Sequence, residues 1–197
     1  MSNTENYLWL ASASPRRREL LEQIGVCFRQ ILPQIDEEKF TAGSSAELVT
    51  MLAIEKAAAA RSMLAESELL NHPILAADTM VVRNDEALGK PANRDQAIAM
   101  LESLSGKTHQ VMTAIAVCGL NEIHTEIIKT RVTFKVMNAE EIVRYCDTDE
   151  PFDKAGGYGI QGRAGAFITH IEGSYSAVVG LPLFETHELL HRVGFRI

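Results

Sequence analysis

The chain has 197 residues, of which 46% are hydrophobic, and a formal net charge of −7 at pH 7. That length fits one domain, or two intimate lobes, with a sizeable buried core, and the acidic balance excludes a general nucleic-acid binder, which needs a basic excess. Three widely spaced cysteines (Cys27, Cys118 and Cys146), none in a C-x-x-C pair, exclude a disulfide framework and a cysteine-rich zinc site.

The N-terminal stretch MSNTENYLWLASAS has no positively charged segment and no long apolar run, so no signal peptide is expected. No window approaches the roughly 18 apolar residues of a membrane span. A soluble, cytoplasmic protein with no membrane partner is the expectation. Residues 7–11 read as a buried strand. Ser14 suits a helix N-cap and Pro15 the first helical position, with Gly25 as the stop. Residues 26–32 read as a second strand, followed by a polar loop holding Asp36, Glu37 and Glu38. An Ala- and Leu-rich pattern predicts a long helix over 45–66. Residues 74–82 predict an apolar strand interrupted by Asp78 and Thr79, and Asn84-Asp85 a turn. A helix follows over about 93–104. Two β-rich runs, 108–118 and 123–136, flank a turn near Gly119–Asn121. Residues 138–146 predict a short helix, 151–165 a glycine-rich loop, 166–171 and 175–180 strands, and 183–193 the last helix. Early alternation of strands and helices with later hairpins predicts an α/β fold on a mixed sheet.

Three motif matches fail on context. His187-Glu-Leu-Leu-His191 has H-E-x-x-H spacing, but a third metal-binding His would fall at 197, which is Ile197. Gly157-Tyr-Gly-Ile-Gln-Gly162 matches G-x-G-x-x-G, yet it follows Asp153-Lys154-Ala155 where a dinucleotide fingerprint needs an apolar strand. Gly106-Lys107-Thr108 ends like a P-loop, but Leu101 stands where its first glycine belongs.

Four constellations carry chemistry. In SASPRRREL, residues 12–20, a helix start offers free N–H donors beside the hydroxyls of Ser12 and Ser14 and the cations of Arg16, Arg17 and Arg18. This suits a polyphosphate, and equally a capped helix with a basic face. Asp78 sits inside an oily strand, where a carboxylate is expensive unless paired or bound to a metal; a metal ligand or a general base is the functional reading. Glu37, Lys56 and Lys90 are lone charges that together would supply a second carboxylate and two phosphate-binding ammonium groups. The fourth is DKAGGYGIQG, residues 153–162, whose four glycines permit close backbone approach and whose Tyr158 and Gln161 can meet a nucleobase. On composition alone it reads slightly better as a flexible loop.

These elements in this order resemble the Maf family: Leu10-Ala11-Ser12-Ala13-Ser14-Pro15-Arg16-Arg17, Glu55-Lys56-Ala57, Ala77-Asp78-Thr79, Gly89-Lys90-Pro91, Asp153-Lys154-Ala155-Gly156 with Tyr158 and Gln161-Gly162, and Gly180-Leu181-Pro182. The resemblance runs from about residue 7 to 193. It implies a single Maf-like domain over 1–197 with a fold similar to the inosine triphosphate pyrophosphatases: a mixed, bent sheet with flanking helices, in two lobes around a deep cleft. It implies hydrolysis of a nucleoside triphosphate to monophosphate and pyrophosphate with a divalent cation, Mg²⁺ or Mn²⁺. Asp78 would be the general base, and Glu37 and Asp78 would hold the metal. Ser12, Arg16, Lys56 and Lys90 would bind the triphosphate, with Ser14, Arg17 and Lys154 as further substrate-binding candidates in the matched pieces. Arg16, Thr79 and Gln161 match the subtype similar to dTTP/UTP pyrophosphatases. The alternatives are a pyrophosphatase for 7-methyl-GTP or other modified nucleotides, and a nucleotide-binding regulator of septum formation. The resemblance is compatible with a homodimer.

Overall fold

A computed structural model of the chain describes residues 6–69, 72–119 and 122–197. Its strands are β1 (Leu8–Ala11), β2 (Phe28–Gln30), β3 (Ile74–Arg83), β4 (Glu86–Leu88), β5 (Thr108–Cys118), β6 (Ile123–Phe134) and β7 (Ile168–Glu172). Its helices are α1 (Pro15–Gln23), α2 (Ser45–Ser62), α3 (Glu66–Leu69), α4 (Arg94–Leu104), α5 (Ala139–Cys146), α6 (Tyr175–Val179) and α7 (Leu183–Arg192). The strands follow the order β2-β1-β3-β5-β6-β7, with β4 paired to β3. The sheet is mixed, as expected: β1 runs parallel to both β2 and β3, whereas β4 and β7 pair antiparallel with β3 and β6. Among the described residues no helix is long and apolar enough to cross a membrane.

The chain divides into two compact units. The first holds residues 1–78, 113–127 and 180–197, and the second 79–112 and 128–179. In the first, β1 is flanked on both sides by parallel neighbours, pairing Leu10 with Gln30 and with Leu75. Such strands are covered on both faces and are apolar throughout. Leu8, Leu10, Ile74, Leu75, Ala76 and Ala77 are all fully buried. The helix α2 packs on β1 through its small residues, since Ala53, Ala57 and Ala60 are buried. In the second unit, Leu101 and Leu104 of α4, Ile142 and Tyr145 of α5, and Phe134, Tyr158 and Phe167 share one core.

Several boundaries differ from the sequence expectation for local reasons. The second strand is only Phe28–Gln30, and the long helix stops at Ser62, with a separate short helix at Glu66–Leu69. Asn84 and Asp85 form the expected turn, but they do so with φ of +50° and +64°. Two such residues make a tight hairpin, which adds the unexpected strand β4 in register Arg83↔Glu86. The expected strand at 175–180 is instead the helix α6. Ser174 Oγ accepts from Ala177 N at 3.2 Å, and this cap overrides the β-branched propensity of Val178-Val179. Gly119 N donates to Glu122 O at 3.0 Å, while Leu120 and Asn121 of the expected turn lie outside the described residues.

Candidate functional site

In the first unit the end of β1 delivers the chain into α1. Ser14 takes the N-cap position with Pro15 at the first helical one, but the Ser14 side chain makes no capping bond. Ser12 ties the turn in another way: its Oγ accepts from Ser14 N at 3.2 Å and from Arg17 NH1 at 3.1 Å, neither bond capping an N–H of the helix. The Arg17 guanidinium also donates through Nε to the Gly180 carbonyl at 2.9 Å. Gln30 of β2 fixes the same junction by donating to the Ser12 carbonyl at 2.9 Å. Arg17 and Ser12 are therefore the braces of the strand-to-helix turn, and the first-turn N–H groups of α1 are left without intrahelical acceptors. Gln30 was not singled out in the sequence reading, and Gly180 entered it only within the matched piece Gly180-Leu181-Pro182, because both act through geometry that no local pattern announces.

The second element is ionic. Asp78 is the last residue of the first unit and only 8% exposed. The Lys56 ammonium, carried by α2, donates to Asp78 Oδ1 at 2.6 Å and lies 2.8 Å from Glu37 Oε1. Glu37 comes from a single 3-10 turn, Glu37–Lys39, in the loop after β2. Burial pushes the Asp78 carboxyl above the usual carboxylate range. The charge and hydrogen bond of Lys56, then the charge of Arg17, pull it back, and Glu37 pushes it up further. The structure thus brings Ser12, Arg17, Glu37, Lys56 and Asp78 into one electrostatic neighbourhood. Ser14 and Arg16 stand half-buried at the start of α1 beside them in sequence.

Two carboxylates already converge on one cation, the Lys56 ammonium. They are hard oxygen donors, the type that Mg²⁺ and Mn²⁺ take. No group of three or more potential ligands occurs among the described residues. A pair of carboxylates fits a cation that completes its shell with phosphate oxygens and water, as Mg²⁺ commonly does.

Thr79, Lys90, Lys154 and Gln161 belong to the second unit. Thr79 directly follows Asp78 on β3 and is half-buried. Gly89-Lys90-Pro91 and Lys154-Ala155-Gly156 meet, because Gly156 N donates to the Gly89 carbonyl at 3.0 Å. Gly156 has φ of +71°, and a Cβ there would fall 2.9 Å from Val81 Cγ1, so only glycine serves. Lys90 is exposed. Lys154 is engaged within its own segment, pairing with Asp153 and donating to the Glu150 carbonyl at 2.8 Å.

Residues 151–165 are more ordered than a flexible loop. Three 3-10 turns, Glu150–Asp153, Ala155–Gly157 and Arg163–Phe167, span them. Tyr158 offers no stacking face: it is 5% exposed, its ring packs edge-on against Phe134, and its hydroxyl lies 2.7 Å from His109 Nε2. Gln161 is exposed, and its amide has no hydrogen-bond partner among the described residues. Of the rejected motifs, 157–162 indeed neither follows a strand nor opens an α-helix. Gly106 takes φ of +68° after the end of α4, the expected stop. His187 and His191 lie on α7, where His187 contacts Glu188.

A braced helix start rich in arginine, next to a buried strand carboxylate held by a lysine, defines an α/β protein built to receive an anionic ligand. The chain belongs to the Maf-like protein family, whose pattern matches residues 7–193. A dTTP/UTP pyrophosphatase of Bordetella avium (strain 197N) is 46% identical over 194 residues, 96% of either chain. Proteins of the same description from Escherichia coli (strain K12) and Salmonella typhimurium (strain LT2) are each 49% identical over 183 residues, covering 93% of this chain and 91% of theirs. The structure of the Staphylococcus aureus Ham1 protein aligns at 17% identity and a TM-score of 0.35, over 66% of this chain and 72% of that one, too slight a likeness to define the fold.

Proposed function

We propose that the protein is a nucleoside triphosphate pyrophosphatase that hydrolyses dTTP and UTP at the α–β phosphoanhydride bond. The observation that carries this reading is the buried Asp78 carboxylate joined to Lys56 and Glu37. A binding protein needs cations for a triphosphate but has no use for a desolvated carboxylate among them. The relatives described above, similar over more than nine-tenths of the chain, give the substrate class.

In the proposed reaction Asp78 accepts a proton from the attacking water. Burial raises its basicity toward the neutral range in which a general base works best. The water oxygen bonds to the α phosphorus, the bond from that phosphorus to the bridging oxygen breaks, and pyrophosphate leaves. A divalent cation, Mg²⁺ or Mn²⁺, would be held by Glu37 and Asp78 and supply charge neutralisation on the phosphate oxygens. Lys56 would then serve the phosphates in place of the two carboxylates. Ser12 Oγ accepts two hydrogen bonds and keeps its own proton to donate to a phosphate oxygen. Ser14, Arg16 and Arg17 at the start of α1, together with Lys90, add donors and positive charge. Lys154 would reach a phosphate only by releasing the Glu150 carbonyl, so its first task is to order its own segment. Thr79 and Gln161 are assigned to the base. The Gln161 amide both donates and accepts, which matches the alternating carbonyl and N–H of a uracil or thymine edge.

The test is a panel of nucleoside triphosphates, 7-methyl-GTP included, with pyrophosphate detection in the presence and absence of chelator. Release of pyrophosphate from dTTP and UTP, abolished by chelator, is expected. Saturable dTTP binding with Mg²⁺ but no turnover would overturn the enzyme reading, and preferential turnover of 7-methyl-GTP would overturn the base assignment.

A further inference from the structure

The turn that carries Gln161 is fastened from one side by a single acidic residue. Glu150 Oε1 accepts from the Tyr145 hydroxyl at 3.0 Å and from Ala164 N at 3.4 Å, and Oε2 accepts from Arg163 N at 3.0 Å. The Tyr145 oxygen in turn accepts from Gly159 N at 3.3 Å. The turn itself is closed by Gly162 N donating to the Gly159 carbonyl at 3.0 Å. Gln161 therefore sits at the tip of a closed turn whose two ends, Gly159 and Arg163-Ala164, are tied to one Tyr145–Glu150 pair. Tyr145 is buried on α5, so the anchor is rigid.

The glycines of the turn confirm how tightly the carboxylate is seated. Gly162 has φ of −100°, which any residue adopts, so its backbone does not require glycine. A Cβ there would lie 2.2 Å from Glu150 Oε1 and 2.4 Å from its Cδ. Gly162 is the space that the Glu150 carboxylate occupies. Gly159 likewise leaves room for Lys154, whose Cε would stand 2.7 Å from an added Cβ.

We propose that Glu150 is a positioning residue for base discrimination: its carboxylate holds the Gly159–Ala164 turn in the one conformation that presents the Gln161 amide in fixed orientation. The inference rests on the proposed contact of Gln161 with the base. A primary amide can offer either a donor or an acceptor, so it separates a uracil edge from a cytosine edge only when its approach is held. Gln161 has no side-chain partner of its own among the described residues. The holding is done by the backbone, and the backbone is held by Glu150.

The experiment compares kcat/KM for UTP and CTP, which differ only at the base edge, in the full-length protein and its variants. Gln161→Ala tests the underlying contact. Glu150→Ala, Glu150→Gln, Gly162→Ala and the double variant Glu150→Ala/Gly162→Ala test the fastening. Glu150→Ala should lower the UTP:CTP ratio roughly tenfold, the scale of one hydrogen-bonding choice, mainly through a higher KM for UTP. Glu150→Gln keeps one carbonyl acceptor and should fall between it and the wild type. Gly162→Ala should mimic Glu150→Ala by expelling the carboxylate, and the double variant should be no worse than Glu150→Ala alone, because the clash is gone. Amide exchange at residues 159–165 should quicken in both single alanine variants. If Gln161→Ala leaves the ratio unchanged, the base contact is wrong and the inference falls with it. If Gln161→Ala lowers the ratio but Glu150→Ala slows UTP and CTP equally, the contact stands and the positioning role is overturned. Should Glu150→Ala fail to fold, Gly162→Ala and Glu150→Gln decide by the same ratio.

Discussion

Lys56 and Asp78, 22 residues apart on a helix and a strand, meet at 2.6 Å in a setting where neither side chain is more than 16% exposed. This pair is the point on which the proposed chemistry turns. A carboxylate buried in a strand costs several kcal/mol unless a cation compensates it, and here one lysine does so while also reaching Glu37 at 2.8 Å. Under the proposed function a divalent cation would take over the two carboxylates and a phosphate the Lys56 ammonium.

Asp78→Asn preserves the shape and a hydrogen-bond acceptor for Lys56 while removing the proton acceptor. Turnover of dTTP is expected to fall by about 10²–10⁴, the range of a positioned general base. The fold should survive, since the neutral amide is cheaper to bury than the carboxylate. Steady-state pyrophosphate release checks this, and full turnover by the variant would remove Asp78 from the mechanism.

Lys56→Met leaves Asp78 buried without its partner. Breaking one side of a buried pair typically costs about 3–5 kcal/mol; water reaching the pair should bring this toward the lower figure. Adding Asp78→Asn to Lys56→Met removes the stranded charge, so the double variant should be more stable than Lys56→Met alone. Urea denaturation of the three variants closes the cycle. A double variant whose destabilisation equals the sum of the two single variants would show that the pair is not coupled.

What could be read from the residues alone follows their local chemistry. Asp78 was legible because a carboxylate in ILAADTMVV violates the pattern of a buried strand. The helix start at Ser14-Pro15 was legible because proline and serine have fixed preferences there, and the mixed sheet because strand and helix periods alternate before the hairpins begin. Ser14 holds the N-cap position as read, but its side chain makes no capping bond; the Ser12 hydroxyl instead accepts from Ser14 N, a contact set by the path of the chain out of β1. The helix α6 was hidden because Val178-Val179 favours a strand, and only the Ser174 cap selects otherwise. The loop at 153–162 looked flexible from its glycines. Gly156 takes a positive φ against Val81, while Gly159 and Gly162 leave room for Lys154 and Glu150; these reasons depend on packing within the folded turn and have no sequence signature. Tyr158 looked like a stacking platform, yet its ring is needed by the core of the second unit.

Arg17→Lys tests the brace at the start of α1. The guanidinium serves Gly180 O through Nε and Ser12 Oγ through NH1, a fork that a single ammonium does not reproduce. Leaving one buried acceptor unmatched costs about 1–3 kcal/mol. Thermal denaturation should show a lower Tm, and the KM for dTTP should rise because Ser12 loses its orientation. An unchanged Tm would mean that the two acceptors are satisfied by water.

His109 makes stability depend on pH. Burial pulls its pKa from the usual 6.5 down to about 4, and the ring is 4% exposed between Phe134 and Tyr158. Nδ1 has no hydrogen-bond partner among the described residues, so the folded state resists the second proton. The unfolded chain protonates this histidine near 6.5 while the folded protein does so only near 4. Between those values the unfolded state binds more protons, so stability falls as pH is lowered. The contribution is fully retained above pH 6.5, is lost progressively down to about 4, and totals roughly 3 kcal/mol at 1.36 kcal/mol per pKa unit. His109→Gln has no imidazole to protonate and can still bond the Tyr158 hydroxyl. Urea midpoints at pH 7.5 and pH 4.5 should therefore fall further for the wild type than for His109→Gln. Parallel losses in the two proteins would show that His109 is protonated in the fold at the same pH as in the unfolded chain, and that the buried ring is not the source of the acid sensitivity.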